Sequence, residues 1–199
     1  MVPSVVDSNS VLKLFIVALH VPVAGVAGLA LLTATYPGEP EVRWIGLTVG
    51  AFAAAFAWVV CTSTIAVVRR ELPLWFVLGS AVFALTMALL VPGLPLQLRW
   101  LASRPAFAAV VAGHPIPAAG SPAREFTAPG TVGTYRITRA AWVPGGAFLY
   151  EIHGTSLIGD AGFAYLPAGP TAELDTAEFD YAHFSPLGGG WYTFTAVAS

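Results

Sequence analysis

Trp44-Ile45-Gly46-Leu47-Thr48-Val49-Gly50-Ala51-Phe52-Ala53-Ala54-Ala55-Phe56-Ala57-Trp58-Val59-Val60-Cys61-Thr62-Ser63-Thr64-Ile65-Ala66-Val67-Val68 runs for 25 residues without a charged side chain. As a helix rising ~1.5 Å per residue it would reach roughly 37 Å, enough to cross a ~30 Å hydrocarbon layer with some tilt. Arg69-Arg70-Glu71 closes it. Apolar stretches flank it on both sides, and the sequence after them changes character. The reading is three transmembrane spans, about 12–32, 44–68 and 74–91, in a helical region covering 1–98.

Composition supports a membrane class. Of 199 residues, 56% are hydrophobic and 10% charged, whereas soluble domains carry about 25% charged residues. Residues 1–123 hold six Lys/Arg and four Asp/Glu, net +2; residues 124–199 hold three Arg and seven Asp/Glu, net −4. No basic patch invites nucleic acid. The single Cys61 lies inside the second span, so no internal disulfide can form, and a small apolar packing role suits it. One Lys against eight Arg fits a high-GC bacterial source.

The first apolar run is interrupted by Lys13, His20 and Pro22. Its core, Leu14 to Leu32, is 19 residues, longer than the 7–15-residue apolar core of a secretory signal, so a retained span is expected. Proline is tolerated in membrane helices when neighbours re-satisfy the freed carbonyl. His20 is an intramembrane polar residue, by default a proton-relay or ligand hypothesis. A neutral His bonded to a nearby carbonyl is the plainer reading, since no carboxylate lies within a span to pair with it.

Gly46, Gly50 and Ala54 recur at four-residue spacing on one face of the second span, and Ser80, Ala84 and Ala88 do so on the third. Small residues let backbones approach closely where lipid removes the hydrophobic incentive to associate. They are expected to be helix-packing surfaces within this chain, with a membrane-protein partner or a homo-oligomer as the alternative. Trp44, Trp75 and Trp100 sit near span ends, as an aromatic belt would; Trp58 falls mid-span, where packing is expected. The Arg69-Arg70 pair in a short loop predicts a cytoplasmic N-terminus and an extracytoplasmic C-terminal domain.

Residues 99–125 read as an interfacial segment followed by a Pro/Gly linker, Gly113-His114-Pro115-Ile116-Pro117 onward. From residue 126 to 199 the period becomes that of strands. Tyr135 and Ile137 alternate with polar neighbours, and Phe148, Tyr150 and Ile152 share a face. Phe163–Leu166 and Trp191–Val197 follow, separated by Pro/Gly turns and an acidic loop holding Glu173, Asp175, Glu178 and Asp180. This predicts a single antiparallel sheet of about four strands meandering in sequence order, with a curl into a small sandwich as the alternative. The fold class expected is therefore an α+β membrane protein, three transmembrane helices followed by a small antiparallel β domain.

Chemistry is sparse. No P-loop, G-x-G-x-x-G, H-E-x-x-H, G-x-S-x-G or EF-hand loop occurs, and no cofactor is implied. The only convergent polar set is His153, Asp160 and His183, which could in principle hold a divalent metal. The function expected is non-enzymatic: interaction, as an accessory subunit or cell-envelope protein in a lipid bilayer. The alternative is a membrane-anchored metal-binding enzyme or sensor using those three residues.

Overall fold

The computed structural model describes residues 8–38, 41–69, 74–118, 121–154, 159–171, 174 and 180–197. Four helices come first: α1 (Ser8–Thr33), α2 (Glu41–Arg69), α3 (Leu74–Leu90) and α4 (Leu94–Ala112). Seven strands follow: β1 (Arg124–Phe126), β2 (Gly130–Val132), β3 (Tyr135–Val143), β4 (Gly146–Glu151), β5 (Gly159–Tyr165), β6 (Asp180–Gly188) and β7 (Trp191–Val197). The chain forms two compact units. One is residues 1–33 with 44–92; the other is residues 34–43 with 93–199.

The expectation of three spans is overturned. The helices fall where the apolar stretches lie, but among the described residues only Ile45–Val68 of α2, 24 residues, is long and apolar enough to cross a bilayer. Of α1, the part whose side chains are described, Ala18–Thr33, is a shorter apolar helix of 16 residues. The 17 residues of α3 reach about 26 Å at ~1.5 Å per residue, short of a ~30 Å hydrocarbon layer. Joining α3 to α4 across their break brings the total to two at most.

Within the helical unit, α1 packs on α3. The closest approach is not at the four-residue ladders. A Cβ at Gly46 or Gly50 would meet nothing within 4 Å, and Ser80, Ala84 and Ala88 are exposed. The tight point is Gly79, where an added Cβ would lie 2.6 Å from Cε2 of Trp58. Trp58 is buried there, as expected of a mid-span Trp, and its ring meets His20 edge-on at 6.5 Å.

The break before α4 has a local cause. Pro92 and Pro95 deny backbone donors, and Gly93 takes the left-handed conformation (φ 67°) that a side chain disfavours. Trp100, Ser103, Phe107 and Val111 then recur on one face of α4 and are buried. That face packs on the sheet: Trp100 stacks on Phe163 with centroids 5.2 Å apart and planes 16° from parallel. Trp100 is thus core, not part of an aromatic belt. The side chains of Trp44 and Trp75 lie outside those described.

Among the described residues the sheet has seven antiparallel strands, not about four, in the order β1-β3-β4-β5-β7-β6, with β2 also on β3. The order departs from a meander, because β5 pairs with β7 and β6 takes the edge. Register sorts the side chains. Ala147↔Tyr165↔Trp191 and Leu149↔Phe163 face α4, while Phe148↔Ala164↔Tyr192 and Tyr150↔Gly162↔Phe194 point away. On a flat sheet β4 and β6 would lie about 14 Å apart, three spacings of ~4.8 Å. Yet Phe148 and Phe184 bring their rings to 6.0 Å. The sheet is curled, with this second face inside, around Ala141, Phe148, Tyr150, Leu166 and Phe194. That is why every residue of β4 is buried.

Candidate functional site

Strand alternation carries Glu151, the last residue of β4, onto the α4 side next to Leu149. It is fully buried. The chain then turns sharply, and the carboxylate Oε2 accepts the backbone N–H groups of His153 at 2.7 Å and Gly154 at 3.0 Å. This is the side chain doing for a turn what a cap does for a helix end.

Arg99 precedes the buried Trp100 on α4, so it points about 100° round the helix from the core. Its guanidinium carbon lies over the rings of Tyr36, at 4.2 Å, and Tyr135, at 4.3 Å. Its Nε donates to Thr134 Oγ1 at 3.0 Å, Nη1 donates to Thr35 Oγ1 at 2.8 Å, and Nη2 donates to the Thr134 carbonyl. All three nitrogens are engaged. Ser103 adds a second tie, accepting the Thr134 N–H at 3.1 Å.

Tyr135, fully buried, donates its hydroxyl to the Thr35 carbonyl at 3.1 Å. Tyr36 packs on His153, centroids 4.6 Å apart. Residues 35–38 are thus a strap laid into the sheet unit. The fit is close. A Cβ at Gly154 would come within 2.6 Å of the Pro37 carbonyl oxygen, and one at Gly38 (φ +86°) within 2.5 Å of Ala161 Cβ.

Burial drives the electrostatics here. It pushes the Tyr135 phenol up; Arg99 opposes that, and Glu151 and Tyr36 add to it. It also raises the Glu151 carboxyl above the usual carboxylate range. The His153 N–H, the His153 charge, the Gly154 N–H and Arg99 offset that only in part. Chemically the cluster is a fastening: its donors and acceptors are directed at the chain's own strap and turn.

The three residues read as a metal set do not converge. His153 is in the turn beside Tyr36. His183 and Ala161 both pair with Thr195, whereas Asp160 pairs with Ala196, so Asp160 and His183 project from opposite faces of the sheet. Asp160 instead forms an ion pair with Arg139 at 3.0 Å, and Arg139 lies 3.8 Å over the Tyr150 ring. Among the described residues no three His, Cys, Asp or Glu side chains are grouped to hold a metal ion. Glu173, Asp175 and Glu178 of the acidic loop lie outside the described residues.

Sequence reasoning missed Arg99, Glu151 and the strap. Thr35 and Tyr36 fall between the first two apolar stretches, and Arg99 opens the segment read as interfacial. A lone acidic residue closing an otherwise apolar strand was the available signal for Glu151. Comparison with protein-family models, with curated proteins and with solved structures gives no match for this chain.

Proposed function

We propose that this chain is a membrane-anchored, non-enzymatic interaction protein, an accessory subunit or cell-envelope protein. In this reading α2 is the anchor and the sheet unit is the interacting part. One observation carries it. Ile45–Val68 is 24 residues long, and only 11% of its most apolar window is buried. Phe52 and Phe56 are each 73% exposed. A core helix of a soluble domain buries such a surface. Left in water, each of these side chains would forgo about 1.5–3 kcal/mol of burial. A bilayer takes it up instead. The Arg69-Arg70 pair supports a cytoplasmic α2–α3 connection and an extracytoplasmic sheet unit.

Washing membranes from expressing cells with alkaline carbonate tests the anchor. The full chain should stay in the pellet, and Phe52→Lys/Phe56→Lys should leave it. Wild-type chain recovered wholly in the wash would remove the anchor. Solubilised chain that runs only as a lone monomer in mild detergent would remove the interaction role.

A further inference from the structure

We propose that the turn at residues 151–154 is a pH-sensitive latch for the strap: residues 35–38 stay seated on it while Glu151 is protonated and are released when the carboxyl ionises. The latch needs only the fit of strap to turn and is independent of the anchor assigned to α2.

Two contacts fix where the strap runs. At one end the Thr35 carbonyl accepts the Tyr135 hydroxyl of β3 at 3.1 Å. At the other, a Cβ on Gly38 would fall 2.5 Å from the Ala161 Cβ of β5. Between β3 and β5 lies β4. Its Glu151 pairs with Ile137, and the register Tyr150↔Gly162 carried on by one residue sets Glu151 beside Ala161. Paired residues share a face of the sheet, and so do alternate residues of one strand, which puts Tyr135, Glu151 and Ala161 on the same side. The strap therefore crosses the end of β4 on the side where the carboxyl stands.

One turn serves both. Oε2 of Glu151 holds the N–H groups of His153 and Gly154, and the strap rests on the same two residues. The Tyr36 ring packs on His153, and the Pro37 carbonyl oxygen lies 2.6 Å from where a Gly154 Cβ would stand. With the strap in place Glu151 is fully buried, and burial favours the neutral carboxyl over the charged one. His153 from the turn and Arg99 from α4 favour the carboxylate. β3 brings the Tyr135 phenol, the strap brings Tyr36 under the Arg99 guanidinium, and β5 brings the apolar Ala161. Ionisation thus leaves a charge that its neighbours offset only in part. Lifting the strap admits water to it. The charged form gains from release and the neutral form does not, so rising pH shifts the strap toward release. The strap is also the stretch of the sheet unit that follows α1 in the chain, so its release frees that connection.

The test uses the full chain in mild detergent, with 4-fluorophenylalanine at position 36 and, separately, at position 192 on β7. Fluorine NMR reads the first as seated or released, and the second as a check that the sheet stays folded. From pH 5 to pH 8 the released fraction at 36 should grow about fivefold or more, while the signal at 192 holds and Glu151→Gln stays seated. Linkage is reciprocal, so the same coupling is read without changing Glu151. Its 13C-labelled carboxyl should titrate about 0.7 pH unit lower in Thr35→Val/Tyr36→Ala than in wild type. If Glu151→Gln fails to fold, that titration decides. A signal at 36 that holds from pH 5 to pH 8, or that moves equally in Glu151→Gln, overturns the latch. So does an unchanged Glu151 midpoint in the strap variant. A signal at 192 that changes in step with that at 36 means that the whole sheet unit opens, which also overturns it.

Discussion

The Glu151 carboxyl binds its proton more readily in the folded chain than in the unfolded one, because burial outweighs the two N–H groups and the cations that face it. The sign of the linkage follows. Its stabilising contribution is complete below the ordinary carboxylate pKa of ~4.3 and is lost as pH rises through the raised folded value. Glu151→Gln keeps an acceptor for the His153 and Gly154 N–H groups but has no proton to lose. Thermal melts of detergent-solubilised chain between pH 4 and 8 should show wild type losing stability with rising pH where the Gln variant does not. Glu151→Ala leaves the His153 and Gly154 N–H groups without that acceptor and should cost roughly 1–3 kcal/mol across the range. A His153→Gln control separates the neighbouring imidazole. Parallel wild-type and Gln profiles would assign the slope to another group. The sequence offers one signal for this, a lone acidic residue in an otherwise apolar run. Alternation placed Phe148, Tyr150 and Ile152 on the buried side, which implied that Glu151 faced water. The strand is buried on both faces because the sheet curls; the sequence left curl open as an alternative but did not show which side chains it would cover.

Among the elements, the helical unit shows how far a periodic pattern can be read. Gly46, Gly50 and Ala54 announce a face that another backbone could approach, but spacing does not say which face the neighbours take. The neighbours meet at Trp58 and Gly79 instead, one residue away from the Ser80 ladder. Gly79→Leu should therefore displace the Trp58 ring and destabilise the unit by about 1–3 kcal/mol, as overpacking does. Gly50→Leu enters open space and should leave the melt unchanged. Helical circular dichroism melts in detergent compare the two. A large loss in Gly50→Leu with none in Gly79→Leu would restore the ladder as the packing surface. The strands divide in the same way. Long alternating runs such as β3 and β7 were legible, whereas β1 and β2 are three residues each. The edge strand β6 contains Pro186, which reads as a breaker and is tolerated at a sheet edge.

At the scale of the molecule, composition and period show a helical half followed by a β half, but they hide where the units divide. The division does not follow chain order: the strap joins the sheet unit across the whole of α2 and α3. Only tertiary contacts reveal this, since Thr35 reaches Arg99 and Tyr135 over 64 and 100 residues. A consequence is that residues 93–199 alone are an incomplete unit. Such a fragment keeps Arg99 and Tyr135 but loses the Thr35 hydroxyl, the Thr35 carbonyl and the Tyr36 ring. At about 0.5–1.5 kcal/mol per hydrogen bond and ~0.5–1 kcal/mol for a cation–π contact, the loss should approach 2–4 kcal/mol. That is a large part of the stability of a domain this small. The fragment, kept in mild detergent, should melt well below the sheet signal of the full chain. A synthetic peptide spanning residues 34–43 should raise its melting temperature in a saturable way, and the same peptide with Thr35→Val and Tyr36→Ala should not. A fragment that melts with the full chain and ignores the peptide would mean that the strap rests on the sheet unit without fastening it.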